Sequence, residues 1–163
     1  MELYTLMQDI ASSLVSGLLL AAIFFLLKEK IFPMPDIDGT WTFIHETTHT
    51  SYHAYEGMKL TYIAQLWREG SKIAGTAEKY HEDSSKQKTL ATGTNKSSCE
   101  LEGYIQKNIF SKDNIVIHIS ELGARTSSTI CKLQIERKTF EMLGRFSSTV
   151  ANQEGTSRWV KRN

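Results

Sequence analysis

The sequence predicts an all-β fold, an antiparallel up-and-down closed barrel of about eight strands, preceded by one N-terminal transmembrane helix. Three observations predict it. An uncharged run, IASSLVSGLLLAAIFFLL from Ile10 to Leu27, stands apart from everything that follows. From Ile37 onward, short β-branched and aromatic runs are separated by Gly, Asn, Asp and Ser clusters. Three of these runs, KIAGTAEKY, ELEGYIQKN and EMLGRFSST, carry a glycine inside a strand-like pattern. Glycine there weakens a ladder and marks the bend or bulge by which a small sheet curls closed. A β-sandwich is the alternative.

The apolar run is long enough, at ~1.5 Å per helical residue, to cross most of a ~30 Å hydrocarbon layer. A secretory signal peptide is the competing reading, but Glu2 and Asp9 stand where a basic start belongs and no A-x-A-like cleavage site follows Leu27. Lys28 and Lys30 follow the run and no Lys or Arg precedes it, so the positive-inside rule expects a single pass through the inner membrane with the C-terminal side in the cytoplasm. Residues 1–30 therefore read as the anchor. Residues 31–36 hold both prolines of the chain, Pro33 and Pro35, and read as a linker. Residues 37–163 form the expected cytosolic domain, one core and hardly more for a 163-residue chain that is 40% hydrophobic.

Cys99 and Cys131 lack C-x-x-C spacing and read as reduced, buried small hydrophobes, one disulfide being the alternative; the sequon Asn95-Lys96-Ser97 is too short a pattern to imply export. Setting aside Lys28, Lys30, Glu2, Asp9 and Glu29 from the totals of 19 and 18 leaves 17 basic and 15 acidic residues downstream, a balance that argues against nucleic acid as a partner.

The strands are expected at roughly 38–46, 59–68, 72–80, 99–107, 114–120, 128–136, 139–149 and 155–162. Leu60, Tyr62, Ala64 and Leu66 alternate onto one face, as do Ile115, Ile117 and Ile119. Glu69-Gly70-Ser71, Ser111-Lys112-Asp113 and Gly123 supply turns, and the polar stretch His81 to Ser98 reads as a long loop with room for a short strand at Thr89 to Thr92.

One motif invites an enzymatic reading. HETTH, His45 to His49, matches H-E-x-x-H, in which two histidines one helical turn apart share a zinc ion and the glutamate activates its water. That geometry needs a helix. Here the flanks, Thr40 to Ile44 and Thr47 to Thr50, are β-branched and aromatic, and in an extended strand His45 and His49 stand about 13 Å apart, beyond sharing one metal. His53 comes too early for the third ligand of metzincins. A solvated strand end is the simpler reading of His45, Glu46 and His49, and zinc proteolysis the remote one. His81 and His118 have no Ser, Cys or Asp in a recognisable nucleophile context, so neither a catalytic residue nor a cofactor is expected.

DGTW, Asp38 to Trp41, opens the first strand with Gly-x-Trp, and GTSRWVKR, Gly155 to Arg162, ends the last. This resembles the lipocalin-type arrangement, which implies that Trp41 closes the barrel floor beneath a basic residue of the final strand, Arg158 or Arg162, by cation-π packing. An anchor followed at once by IDGTW, LTYIAQLWREGSKIAGTAEKY and FEMLGRFSSTVANQEGTSRWVKR resembles the transmembrane β-barrel effectors of CBASS antiphage defence, the CD-NTase-associated family. The resemblance implies a barrel that binds a cyclic dinucleotide or oligonucleotide as activating ligand, self-associates, and disrupts the inner membrane so that the infected cell dies. Such effectors typically have two membrane helices, whereas only one is visible here.

A dianionic cyclic nucleotide wants arginines for phosphates and aromatic faces for bases, and Tyr62, Trp67, Arg68, Tyr104 and Arg145 are the strand residues of those types that were candidates for the ligand site. Each has a plainer reading, as core for the aromatics and as a solvated strand end for Arg68. The contrasting functional class is a membrane-tethered lipocalin-like carrier of a lipid or small hydrophobic ligand. It predicts a roomy apolar interior, where a nucleotide sensor predicts convergent Arg and aromatic groups at a mouth or face.

Overall fold

The computed structural model describes residues 2–27, 33–84, 88–90, 97–108, 111–122, 126–136 and 139–162. Lys28, Lys30, Asn95 and Gly123 lie outside them. The chain divides into two compact units, Met1–Met34 and Pro35–Asn163.

The first is one α-helix, α1 (Glu2–Leu26), whose stretch Tyr4–Leu26 is long and apolar enough to cross a membrane. It holds no proline, and Ser16 returns its hydroxyl to the Ser12 carbonyl at 2.9 Å, which satisfies that polar group within the helix.

The second unit is the expected barrel. Its strands are β1 (Gly39–His49), β2 (Lys59–Glu69), β3 (Lys72–Asp83), β4 (Lys88–Leu90), β5 (Ser98–Gln106), β6 (Asn114–Leu122), β7 (Ser127–Glu136), β8 (Glu141–Ser148) and β9 (Gln153–Lys161). All pairings are antiparallel, the eight long strands pair in sequence order, and β1 pairs with β9 to close them into a ring. The three-residue β4 lies in the long loop and pairs only with the far end of β3. Closure removes the free edges at which an open sheet of this size would associate.

Inward and outward residues alternate along every strand. Trp41, Phe43, His45 and Thr47 point inward from β1, and Ile115, Ile117 and Ile119 from β6. The glycines marked in the sequence sit on the inward set. A Cβ on Gly103 or Gly144 would run into the carbonyl oxygen of Val116 or Lys132 on the next strand, and one on Gly75 into Gln65 and Leu66. None of these three has a positive φ, so glycine is required there for the close approach of a curling neighbour, not for backbone conformation.

Candidate functional site

The interior is filled by side chains. Phe43 stacks on Trp159 with ring centres 3.9 Å apart and on Tyr62 at 4.7 Å, while His45 stacks on Phe146 at 4.4 Å. The Trp41 indole donates to the Ile37 carbonyl at 2.8 Å, and the Trp159 indole to the Ser157 hydroxyl at 2.8 Å, so both buried N–H groups are satisfied. Tyr62 is thus core, and burial drives its hydroxyl pKa well up.

The HETTH stretch is a strand, as its composition predicts, but His45 does not sit on a solvated strand end. It is 4% exposed, 3.5 Å from the Cys131 sulfur, and burial drops its pKa to about 3. A register shift between Thr47 and His49 then breaks the alternation, so His49 lies exposed at the strand end. The two histidines neither share a face nor approach one another. No group of three or more His, Cys, Asp or Glu able to hold a metal ion occurs among the described residues. Cys99 and Cys131 are free and buried, and desolvation pushes both thiols up to about 12.

The expected Trp41 and Arg158 pair is not formed. Arg158 stands opposite Ile44 on the outer face and bonds Glu141 at 2.8 Å, while Trp41 faces inward. Arg162 does not cover Trp41 either, since it donates to the Thr42 hydroxyl at 2.6 Å. Strand parity is the reason: residues that pair three positions apart along a strand point to opposite faces. The basic residue opposite Trp41 is Lys161, held by Asp36 at 2.9 Å, and that hydrogen bond lowers the Asp36 pKa.

The remaining candidates separate by face. Arg68 follows Leu66 on the inward set at one barrel end and donates to the Gly70 carbonyl at 2.8 Å; its Nε is buried without a partner. Trp67, Tyr104 and Arg145 all lie on the outer face. Trp67 (49% exposed) and Tyr104 (45% exposed) flank a groove of about 610 Å³ across β2, β3, β5 and β6. Glu69, Lys72, Ala74, Glu102, Val116 and His118 also line it. The His118 Nε2 lies 2.6 Å from the Ser128 hydroxyl, which fixes that ring.

Beyond the groove the outer row continues by strand pairing from Tyr104 to Val116, to Lys132 and to Arg145. At ~4.8 Å per strand, Tyr104 and Arg145 are about 14 Å apart along this row. Lys132 and Arg145 are directly opposite one another, and among the described residues neither forms an ion pair. Sequence reasoning set His118 aside and did not single out Lys72 or Lys132. The alternation of Lys132 with buried Cys131 and Leu133 announces an outward side chain, but only the register places it beside Arg145.

Fold and site together define a closed antiparallel β-barrel with an aromatic groove on its outer wall, in a chain that has, among the described residues, one helix of membrane-spanning length. No protein family, no curated protein and no solved structure matches the chain.

Proposed function

We propose that this chain is a membrane-anchored effector of bacterial antiphage defence of the CBASS kind. Its barrel binds a cyclic dinucleotide or oligonucleotide made by a partner nucleotidyltransferase, self-associates, and disrupts the inner membrane. The observation that carries this reading is the groove between Trp67 and Tyr104 on a barrel whose own interior is occupied. Exposed aromatic faces offer stacking to a nucleobase worth about 1–3 kcal/mol per base. The contrasting lipid carrier needs an apolar cavity of several hundred Å³, whereas the stacked Phe43, Tyr62 and Trp159 and the buried Trp41 occupy the barrel interior. α1 supports the membrane half of the reading by its length, and Lys28 and Lys30 support a cytoplasmic barrel.

Dye-loaded vesicles carrying the full chain are expected to leak when one member of a panel of cyclic di- and trinucleotides is added, and to hold their dye otherwise. Vesicles that stay sealed with every member, together with saturable uptake of a fluorescent fatty acid by the protein, would replace this reading with the carrier.

A further inference from the structure

The cross-strand pair Lys132 and Arg145 has a cost that the fold does not explain. Like charges directly opposite in an antiparallel ladder repel, and a barrel strand gains nothing structural from placing two cations there. Their direct neighbours within the row are not acidic. Val116 stands beside Lys132 and Thr156 beside Arg145 in the same row, with the exposed apolar side chains of Ile130 and Leu143 two positions along each strand. The nearest outward carboxylate, Glu154, stands opposite Ser147, one diagonal from Arg145, and forms no ion pair with it; Glu141 is taken by Arg158, Glu46 by Lys59, and Glu69 and Glu102 line the aromatic groove. The row that runs through Glu69, Lys72, Tyr104, Val116, Lys132 and Arg145 thus has the aromatic groove at one end, with Lys72 set between Glu69 and Tyr104, and two facing cations without an ion pair at the other.

We infer that Lys132 and Arg145 form a phosphate-binding site, and that a ligand carrying both a planar base and a phosphate lies along the outer row with its base in the Trp67–Tyr104 groove and its phosphate between the two cations. A guanidinium grips phosphate oxygens through paired N–H donors, and the ammonium adds a compact second charge, so one phosphate relieves the repulsion that the empty pair carries. The carboxylates at the other end have the complementary task. Glu102 and Glu69 in the groove accept hydrogen bonds from the ring N–H or exocyclic amino groups of a base. Nucleotide recognition thus falls on the outer surface, across β5 to β8, and not in the barrel mouth. This inference rests on the cyclic-nucleotide reading for the identity of the ligand, but the anion site stands or falls by itself.

The test uses the full chain in detergent, with Lys132→Gln, Arg145→Gln and, as an off-row control, Arg158→Gln. Thermal melts are recorded against pyrophosphate, and dissociation constants are measured for a panel of cyclic dinucleotides. Without ligand, Lys132→Gln and Arg145→Gln are expected to melt at or above the wild-type temperature, because the repulsion is gone. Either variant is expected to need roughly tenfold more pyrophosphate, and to bind the preferred cyclic dinucleotide roughly tenfold more weakly, than wild type or Arg158→Gln. A panel member that binds wild type and both variants equally overturns the phosphate site and leaves the cyclic-nucleotide reading intact. A pyrophosphate response that depends on Lys132 and Arg145, with no panel member bound, keeps the site and removes that reading. Neither pyrophosphate nor any panel member acting through these two residues overturns the inference.

Discussion

Gly144→Ala adds one carbon atom to an inward-facing position of β8 and is expected to open the barrel seam. The new Cβ would fall inside the van der Waals shell of the Lys132 carbonyl oxygen and 2.8 Å from the Leu133 Cα, both backbone atoms of β7 that cannot swing aside. Relief requires the strands to separate locally, which weakens the ladder bonds on either side, each worth about 1 kcal/mol net, and adds an overpacking term of about 1–3 kcal/mol. A loss of about 3–5 kcal/mol follows. In urea titrations followed by tryptophan fluorescence, with a slope near ~2 kcal/mol per molar, the midpoint falls by roughly 2 M. Gly57→Ala is the control for backbone conformation alone: it has φ +71° and nothing within 4 Å of an added Cβ, so it costs about 1–2 kcal/mol. Equal midpoints for the two variants, or a Gly144→Ala midpoint within ~0.3 M of wild type, would refute the close-approach account of the strand glycines.

Phe43→Ala empties the centre of the Trp159, Phe43 and Tyr62 stack and is expected to cost about 3–5 kcal/mol, against less than about 2 for Phe43→Leu, by the same titration. His45 makes stability pH-dependent. Its folded pKa of about 3 lies below the unfolded value of 6.5, so the unfolded chain binds a proton that the folded chain refuses. This contribution is constant above pH 6.5, falls by about 1.4 kcal/mol per pH unit on acidification towards pH 3, and is absent in His45→Phe, as urea midpoints across that range will show. Cys99 and Cys131, buried with thiols near pKa 12, are expected to resist a maleimide in the folded protein and to label fully in urea; rapid native labelling would contradict the packed interior.

The strands were legible because alternation and turn residues are local signals. β6 and β7 run close to the strands expected at 114–120 and 128–136, the first read from the alternation of Ile115, Ile117 and Ile119, and the interior glycines pointed to a sheet that curls. β4 (Lys88–Leu90) overlaps the short strand expected at Thr89 to Thr92, of which Ala91 and Thr92 lie outside the described residues. What depends on register was not legible. The place of Arg158 beside Glu141, the meeting of Lys132 with Arg145, and the bulge that divides His45 from His49 each follow from which residue of one strand faces which residue of the next. His45 shows the same limit from another side, since a histidine in a strand is usually wet, and only the inward parity set by Trp41 and Phe43 makes it core.

The most direct measurement of the central claim is a titration of the full-length protein in detergent with a panel of cyclic dinucleotides and oligonucleotides, with tryptophan quenching for binding and sedimentation velocity for size. Trp67 is the half-exposed indole and reports stacking, while Trp41 and Trp159 are buried. Saturable quenching by one panel member, accompanied by growth of the particle and lost together in Trp67→Ala/Tyr104→Ala, is the predicted result. A protein that binds no member and keeps its size throughout would contradict it.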